Sequence, residues 1–373
     1  MFDVIFDPYN YPFWVLIIAI LAGAIIVISR PFSTYVKFVY PNAKFEAMGN
    51  PFIGEKELDS VIDSKDIVSF KDTINTLKDY NIPGDNIFSI QRALDDTFVE
   101  TVEMMRKDSS KKMNDFYNVY LKKIDIYLIK NVLRNKIEGK EINKGKIDEA
   151  ILEDTKELLV SLIDSEKKDL PFLLKEYGFG QEIIDVLSNE EIDFLLLDTT
   201  IDKYLIKLLK ETKLPYKCEN GRKRYVNIMV DILNIKSILR GKQLGYDVRS
   251  CKNLFLFEGQ EIAQWKFEQL AELESVSQVI QNIEGTSYYD ALKNSIEEYN
   301  QDKSVQVLEI ALDGLLLKMV RDISTQNYIS IGPTLRFLVS KEFEIRNLKV
   351  IAKGISEKLS SEIIKKYLVW ETS

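Results

Sequence analysis

Hydrophobic residues in this chain follow two patterns. The first is a continuous run. Residues 8 to 29 carry no charge, and from Phe13 to Ile28 the chain reads FWVLIIAILAGAIIVI. Twenty-two helical residues span about 33 Å, enough for the hydrocarbon core of a bilayer. The second pattern is a step of three. It occurs at Ile126, Ile129 and Val132, at Ile232, Ile235 and Ile238, and at Ile345, Leu348 and Ile351. Steps of three keep side chains on one side of a helix, whereas a strand needs steps of two.

Each stepped triplet sits in the same frame. An acid opens it (Asp125, Asp231, Glu344), a lysine stands five positions after the acid (Lys130, Lys236, Lys349), and a base stands at nine (Arg134, Arg240, Lys353). The acids are 106 and then 113 residues apart, and such recurrence marks a repeat architecture. Acid before base also suits the helix dipole. Asn135, Gly241 and Gly354 follow the last base, where helices commonly end in a left-handed residue, so each copy is expected to close a helical unit there. Upstream lies a Leu-Asp pair: Leu94-Asp95, Leu197-Asp198 and Leu312-Asp313, with 30, 33 and 31 residues from its Asp to the frame's acid. These aspartates are expected to cap a helix or to pair with a base on the closing helix. The pattern predicts an all-α protein with three tandem units, 32–143, 144–249 and 250–373, in a pseudo-threefold arrangement, preceded by a membrane-spanning segment at 1–31.

Flanking residues orient that segment. Tyr9, Tyr11 and Trp14 lie at one end, as interfacial aromatics do. Asp3 and Asp7 precede it, while Arg30, Lys37 and Lys44 follow. The positive-inside rule therefore places the body on the cytoplasmic face of the cell membrane. A cleaved signal peptide fits poorly, because the start is not basic and no small-residue cleavage pattern appears. Ala19 and Gly23 form a small-xxx-small pair suited to packing on another membrane helix. Pro31 reads as the end of the segment, Val39–Ala43 as the start of the soluble body, and Leu214-Pro215 with Asn220-Gly221 as a helix–helix connection.

Composition removes much chemistry. With 46% hydrophobic residues the chain can build large cores, and few glycines and prolines interrupt it. Net charge is −8, which disfavours nucleic acid as a partner. A basic stretch from Arg106 to Lys146 and an acidic one from Asn253 to Leu315 read as solvated faces or as docking surfaces of opposite sign. The chain has no histidine, so the commonest general base and metal ligand are missing. Cys218 and Cys251 match no zinc spacing and read as free thiols. Arg240-Gly241-Lys242 lacks the rest of a phosphate loop, and Tyr177–Glu182 lacks the third glycine of a dinucleotide fingerprint. No catalytic residue, cofactor or metal is expected.

Pro333–Gly354 (PTLRFLVSKEFEIRNLKVIAKG), with Lys341-Glu342, Glu344, Arg346-Asn347-Leu348 and Gly354, and Asp231–Lys242 (DILNIKSILRGK) resemble the C subunit of the archaeal-type (A-type) ATP synthase, the relative of the d subunit of the vacuolar-type ATPase. Tyr40–Met48 resembles that family's opening motif, with Glu46 where an arginine is usual and Pro51 interrupting the expected helix. The resemblance covers about residues 39 to 360. It implies a three-lobed helical funnel on the cytoplasmic mouth of the proteolipid rotor ring, with a hollow that receives the central shaft made by the D and F subunits. It further implies a part that transmits torque, without catalytic residues or cofactors. The segment marked by Phe13, Trp14, Ala19, Gly23 and Ile28 would then hold the adaptor in lipid or in the ring. A membrane-tethered helical scaffold with another partner fits the same residues.

Overall fold

The computed structural model describes residues 11–48, 55–77 and 80–371, and within them every regular element is a helix. Asp3, Asp7, Tyr9 and Pro51 lie outside the described residues. The long helices are α1 (Tyr11–Ala47), α2 (Ile87–Asp108), α3 (Asn114–Ile137), α4 (Phe194–Glu211), α5 (Glu219–Gln243), α6 (Gln306–Gln326) and α7 (Gly332–Ser356). Tight connections at 109–113, 212–218 and 327–331 join α2 to α3, α4 to α5 and α6 to α7. Between these hairpins, α3 packs on α4, α5 packs on α6, and α7 packs back on α2. Short helices fill the gaps in sequence: Glu153–Asp164 lies against α3, and Gln264–Glu272 and Val276–Asn282 lie against α5.

All nine step-of-three positions are buried. The helices that carry them are covered on more than one side, because Val226, Met229, Val230 and Leu239 of α5 are buried as well. A helix enclosed this way belongs to the interior of the body.

These three helices run further than the glycine spacing implied. Asn135, Gly241 and Gly354 are still helical. The left-handed residues come later, at Gly139 (φ 68), Gly245 (φ 75) and Lys358 (φ 58), each fourteen positions after the frame's acid. The carbonyls of Asn135, Gly241 and Gly354 instead accept the closing bonds from the amides of Lys140, Tyr246 and Leu359, each at 2.9 Å. The two glycines serve close packing. A Cβ on Gly241 would lie 3.0 Å from Leu254, and one on Gly354 would lie 2.6 Å from Ile364. Gly221 likewise lies inside the first turn of α5, where a Cβ would meet Ile331 at 2.8 Å. Of the three left-handed residues, only Lys358 carries a Cβ. Lys358→Gly is therefore expected to raise stability by about 0.5–1 kcal/mol, read as a higher urea midpoint.

The first helix does not stop at Pro31. It continues through Pro31 and Pro41 to Ala47, although each proline removes a helical amide. Packing explains the continuation, since Thr34, Phe38, Asn42 and Phe45 are buried against the body. The Thr34 hydroxyl donates to the Tyr216 carbonyl (3.1 Å), and the Asn42 amide donates to the carbonyls of Tyr328 (2.7 Å) and Ser330 (3.0 Å). Phe45 meets Phe337 of α7 with ring centroids 5.2 Å apart. The other half of α1 stands clear of the body: from Ile18 to Arg30, Ala19, Gly23 and Ile28 included, every residue is exposed. Phe13 and Trp14 pack edge to face on each other, 5.7 Å apart.

Candidate functional site: a charged central cavity

Helices α2 to α7 surround a cavity of about 1020 Å³. Its wall is organised by the lysines of the repeated frame. Lys130 of α3 pairs with Asp202 of α4 (2.6 Å), Lys236 of α5 with Asp313 of α6 (2.6 Å), and Lys349 of α7 with Asp95 of α2 (2.5 Å). Each lysine thus reaches from the second helix of one hairpin to the first helix of the next, and the third pair closes the circuit across 254 residues. A second tier lies one turn on: Arg134 pairs with Asp198 (3.1 Å) and Arg240 with Glu309 (2.6 Å). At the third position Lys353 instead pairs with Glu357, four residues further on (2.8 Å).

This circuit corrects one assignment made from spacing. Asp198 does not stand where Asp95 and Asp313 stand. Asp202 takes the lysine, and Asp198 takes the arginine, as Glu309 does. An aliphatic residue precedes both aspartates (Leu197, Ile201), so the pair alone could not tell one helical turn from the next.

Exposed ion pairs add only about 0–1 kcal/mol each, and most of these are half-buried. Asp313 is the exception. It is 7% exposed and holds both Lys236 and Arg346, the latter at 2.8 Å. Burial opposes its charge, but the two cations outweigh burial and hold its carboxyl below the usual range. At Asp95 and Asp198 burial outweighs Lys349 and Lys130 with Arg134, and both carboxyls are raised. The signs of their linkage to stability are therefore opposite. The contribution of Asp313 is full above the unfolded value of about 3.9 and is lost as pH falls through its depressed folded value. The contributions of Asp95 and Asp198 are present below the unfolded value and fade as pH rises through their raised ones. Asp313→Asn is expected to cost about 3 kcal/mol at neutral pH and to flatten the final acid limb of a plot of urea midpoint against pH.

The acids that open each frame are buried. Asp125 accepts from the amides of Ile151 (2.8 Å) and Leu152 (2.9 Å). Asp231 accepts from the amides of Gln260, Glu261 and Ile262 (2.8–2.9 Å) and from the Tyr288 hydroxyl (2.9 Å). Burial raises both carboxyls, against the pull of those donors. Glu344 differs, being held by Lys341 (2.6 Å) and by the Tyr80 hydroxyl. Spacing missed a further pair. Asn234 and Asn347, three residues after their acids, each clamp a later stretch of backbone through both side-chain atoms: Leu256 and Phe257 for Asn234, Val369 for Asn347, at 2.8–3.0 Å. Leu128 holds that place in the first copy, which hides the match. Lys123 and Glu342 form another half-buried bridge, at 2.8 Å, between α3 and α7.

The cavity is therefore lined by charges that are largely paired across neighbouring helices. Its lining residues include no histidine and no cysteine. The model of the family described as ATP synthase (C/AC39) subunit matches residues 41–367. The chain belongs to the ATP synthase (C/AC39) subunit family. It is 30% identical over 344 residues to the A-type ATP synthase C subunit of Methanothermobacter thermautotrophicus, covering 90% of this chain and 89% of that one. It is 31% identical to the protein of the same name from Methanobrevibacter smithii (91% and 90% covered) and 27% identical to that of Pyrococcus horikoshii (90% and 90%). As an ATP synthase subunit it belongs to a membrane-bound rotary complex. The matched region takes in α2 to α7 and the last turns of α1, from Pro41 onward. Glu46 accepts from the Tyr328 hydroxyl at 2.7 Å.

Proposed function

We propose that this chain is the non-catalytic central-stalk adaptor of an A-type ATP synthase. Its three units, 32–143, 144–249 and 250–373, form a pseudo-threefold funnel on the cytoplasmic mouth of the proteolipid ring. The cavity receives the shaft of the D and F subunits, and rotation driven by ion flow passes through it to the catalytic head. The first half of α1 lies in the membrane and anchors the adaptor. The observation that carries this reading is the closed circuit Lys130–Asp202, Lys236–Asp313, Lys349–Asp95 around the cavity. Torque requires a coupling that does not shear. A ring of hairpins, each latched to the next through packed helices and a charge pair of fixed register, resists shear in every direction.

Affinity purification of the tagged full chain from native membranes tests this. The ring protein and both shaft proteins are expected in the eluate. Tyr127 lines the cavity and is 62% exposed. Tyr127→Glu is expected to release the shaft proteins while the ring is retained. Recovery of neither ring nor shaft with the parent chain would overturn the proposal.

A further inference from the structure

The outer face of α1 stays apolar well past the uncharged segment. Phe32, Val36, Val39 and Tyr40 are exposed on the side of the helix away from Thr34, Phe38 and Asn42, and Tyr35 is exposed at the edge of that packed stripe. The exposed apolar face thus runs from Tyr11 to Tyr40. Thirty helical residues rise about 45 Å, the thickness of the hydrocarbon core together with both headgroup layers. The packed body begins inside that length. Thr34, whose hydroxyl bonds the Tyr216 carbonyl, lies only about 8 Å along the helix from Ser29, which is headgroup depth.

At this level the surface changes character. Tyr35 and Tyr216 are 45% and 53% exposed; Arg30 and Lys37 on α1, and Lys213 and Lys217 on the connection that Thr34 bonds, are exposed too. The 212–218 connection holds Lys213 and Lys217; of the acids at its two ends, Glu219 is paired with Arg222 and Glu211 is exposed at the end of α4. Tyrosine suits this depth, with an apolar ring and a polar tip, and lysines near an anionic leaflet are attracted to it.

We propose that this collar at the foot of α1 binds anionic lipid headgroups. The proposal rests on the reading that the first half of α1 spans the bilayer. Lipid is favoured as occupant because the collar continues a lipid-length helix without a break and carries the sign opposite to the leaflet.

Full-length protein is reconstituted into phosphatidylcholine vesicles, and into vesicles with part of that lipid replaced by phosphatidylglycerol, each carrying a headgroup-attached quencher. A fluorophore on Ser29→Cys reports the helix, and one on Lys213→Cys reports the collar; Cys218 and Cys251 are buried. The Ser29 probe is expected to be quenched in both vesicles. The Lys213 probe is expected to be quenched only in the anionic ones, and to lose that quenching in the Lys37→Glu/Lys217→Glu double variant or in high salt. Quenching at Ser29 without quenching at Lys213 in anionic vesicles would overturn the collar and leave the spanning helix intact. Quenching at neither probe would remove both. Equal quenching of the Lys213 probe in neutral vesicles, or its disappearance when the rotor ring is co-reconstituted, would also overturn lipid as the occupant.

Discussion

Asp231→Ala is expected to lower the stability of the body by about 4–5 kcal/mol, a large share of the 5–15 kcal/mol typical of a folded domain. Asp231 is fully buried and accepts from three consecutive amides and one phenol. Alanine leaves four donors without an acceptor, those of Ile262 and Tyr288 buried and those of Gln260 and Glu261 part-buried; each unsatisfied buried group costs about 1–3 kcal/mol, less than additively because the loop relaxes. Asp231→Asn keeps one acceptor oxygen but turns an amide nitrogen toward the same donors, so it is expected to recover only part of the loss. Asp125 accepts from two amides, and Asp125→Ala is expected to cost less. Gly259 supplies an independent check: a Cβ there would lie 1.8 Å from Asp231 Oδ1 and 2.9 Å from the Asn227 carbonyl. Gly259→Ala must push the loop off the carboxylate and is expected to match Asp231→Ala in a urea titration. A Gly259→Ala protein as stable as the parent would refute this account of the loop.

The second large effect concerns location. Deleting residues 1–31 is expected to leave a soluble, still folded protein, where the full chain is expected to need detergent. The deletion removes the exposed aliphatic stretch from Val15 to Ile28. Each such side chain contributes about 1.5–3 kcal/mol when taken out of water, so the segment as a whole supplies tens of kcal/mol for membrane insertion. It leaves Thr34, Phe38, Asn42 and Phe45, the residues that pin α1 to the body. The truncated protein is expected in the supernatant after a high-salt wash of membranes, with an unchanged helical circular dichroism spectrum per residue. Retention in the washed membrane pellet would show that another surface provides the anchor.

Much of the site was visible as spacing, and its mistakes have physical causes. Lys130, Lys236 and Lys349 could be aligned because the helical period keeps equal offsets on equal faces. Their partners could not be named, because an ion pair across 254 residues leaves no mark in local order. Asp198 was set one turn early because Leu197-Asp198 and Ile201-Asp202 present the same two-residue pattern. Gly241 and Gly354 read as caps because glycine serves both left-handed backbone and close helix contact, and only the neighbours Leu254 and Ile364 tell these uses apart.

The order of residues by itself determined that the body is helical, that one segment is long and apolar enough for a bilayer, and that histidine chemistry is missing. Those properties depend on periodicity and composition, which are local. Tertiary structure decided that α7 closes on α2, that Asp231 holds a loop while Glu344 holds Tyr80, and that α1 passes unbroken through Pro31 to pack on the body. Each of these is a choice among partners distant in sequence. Burial and geometric fit, which exist only once the chain has folded, make that choice.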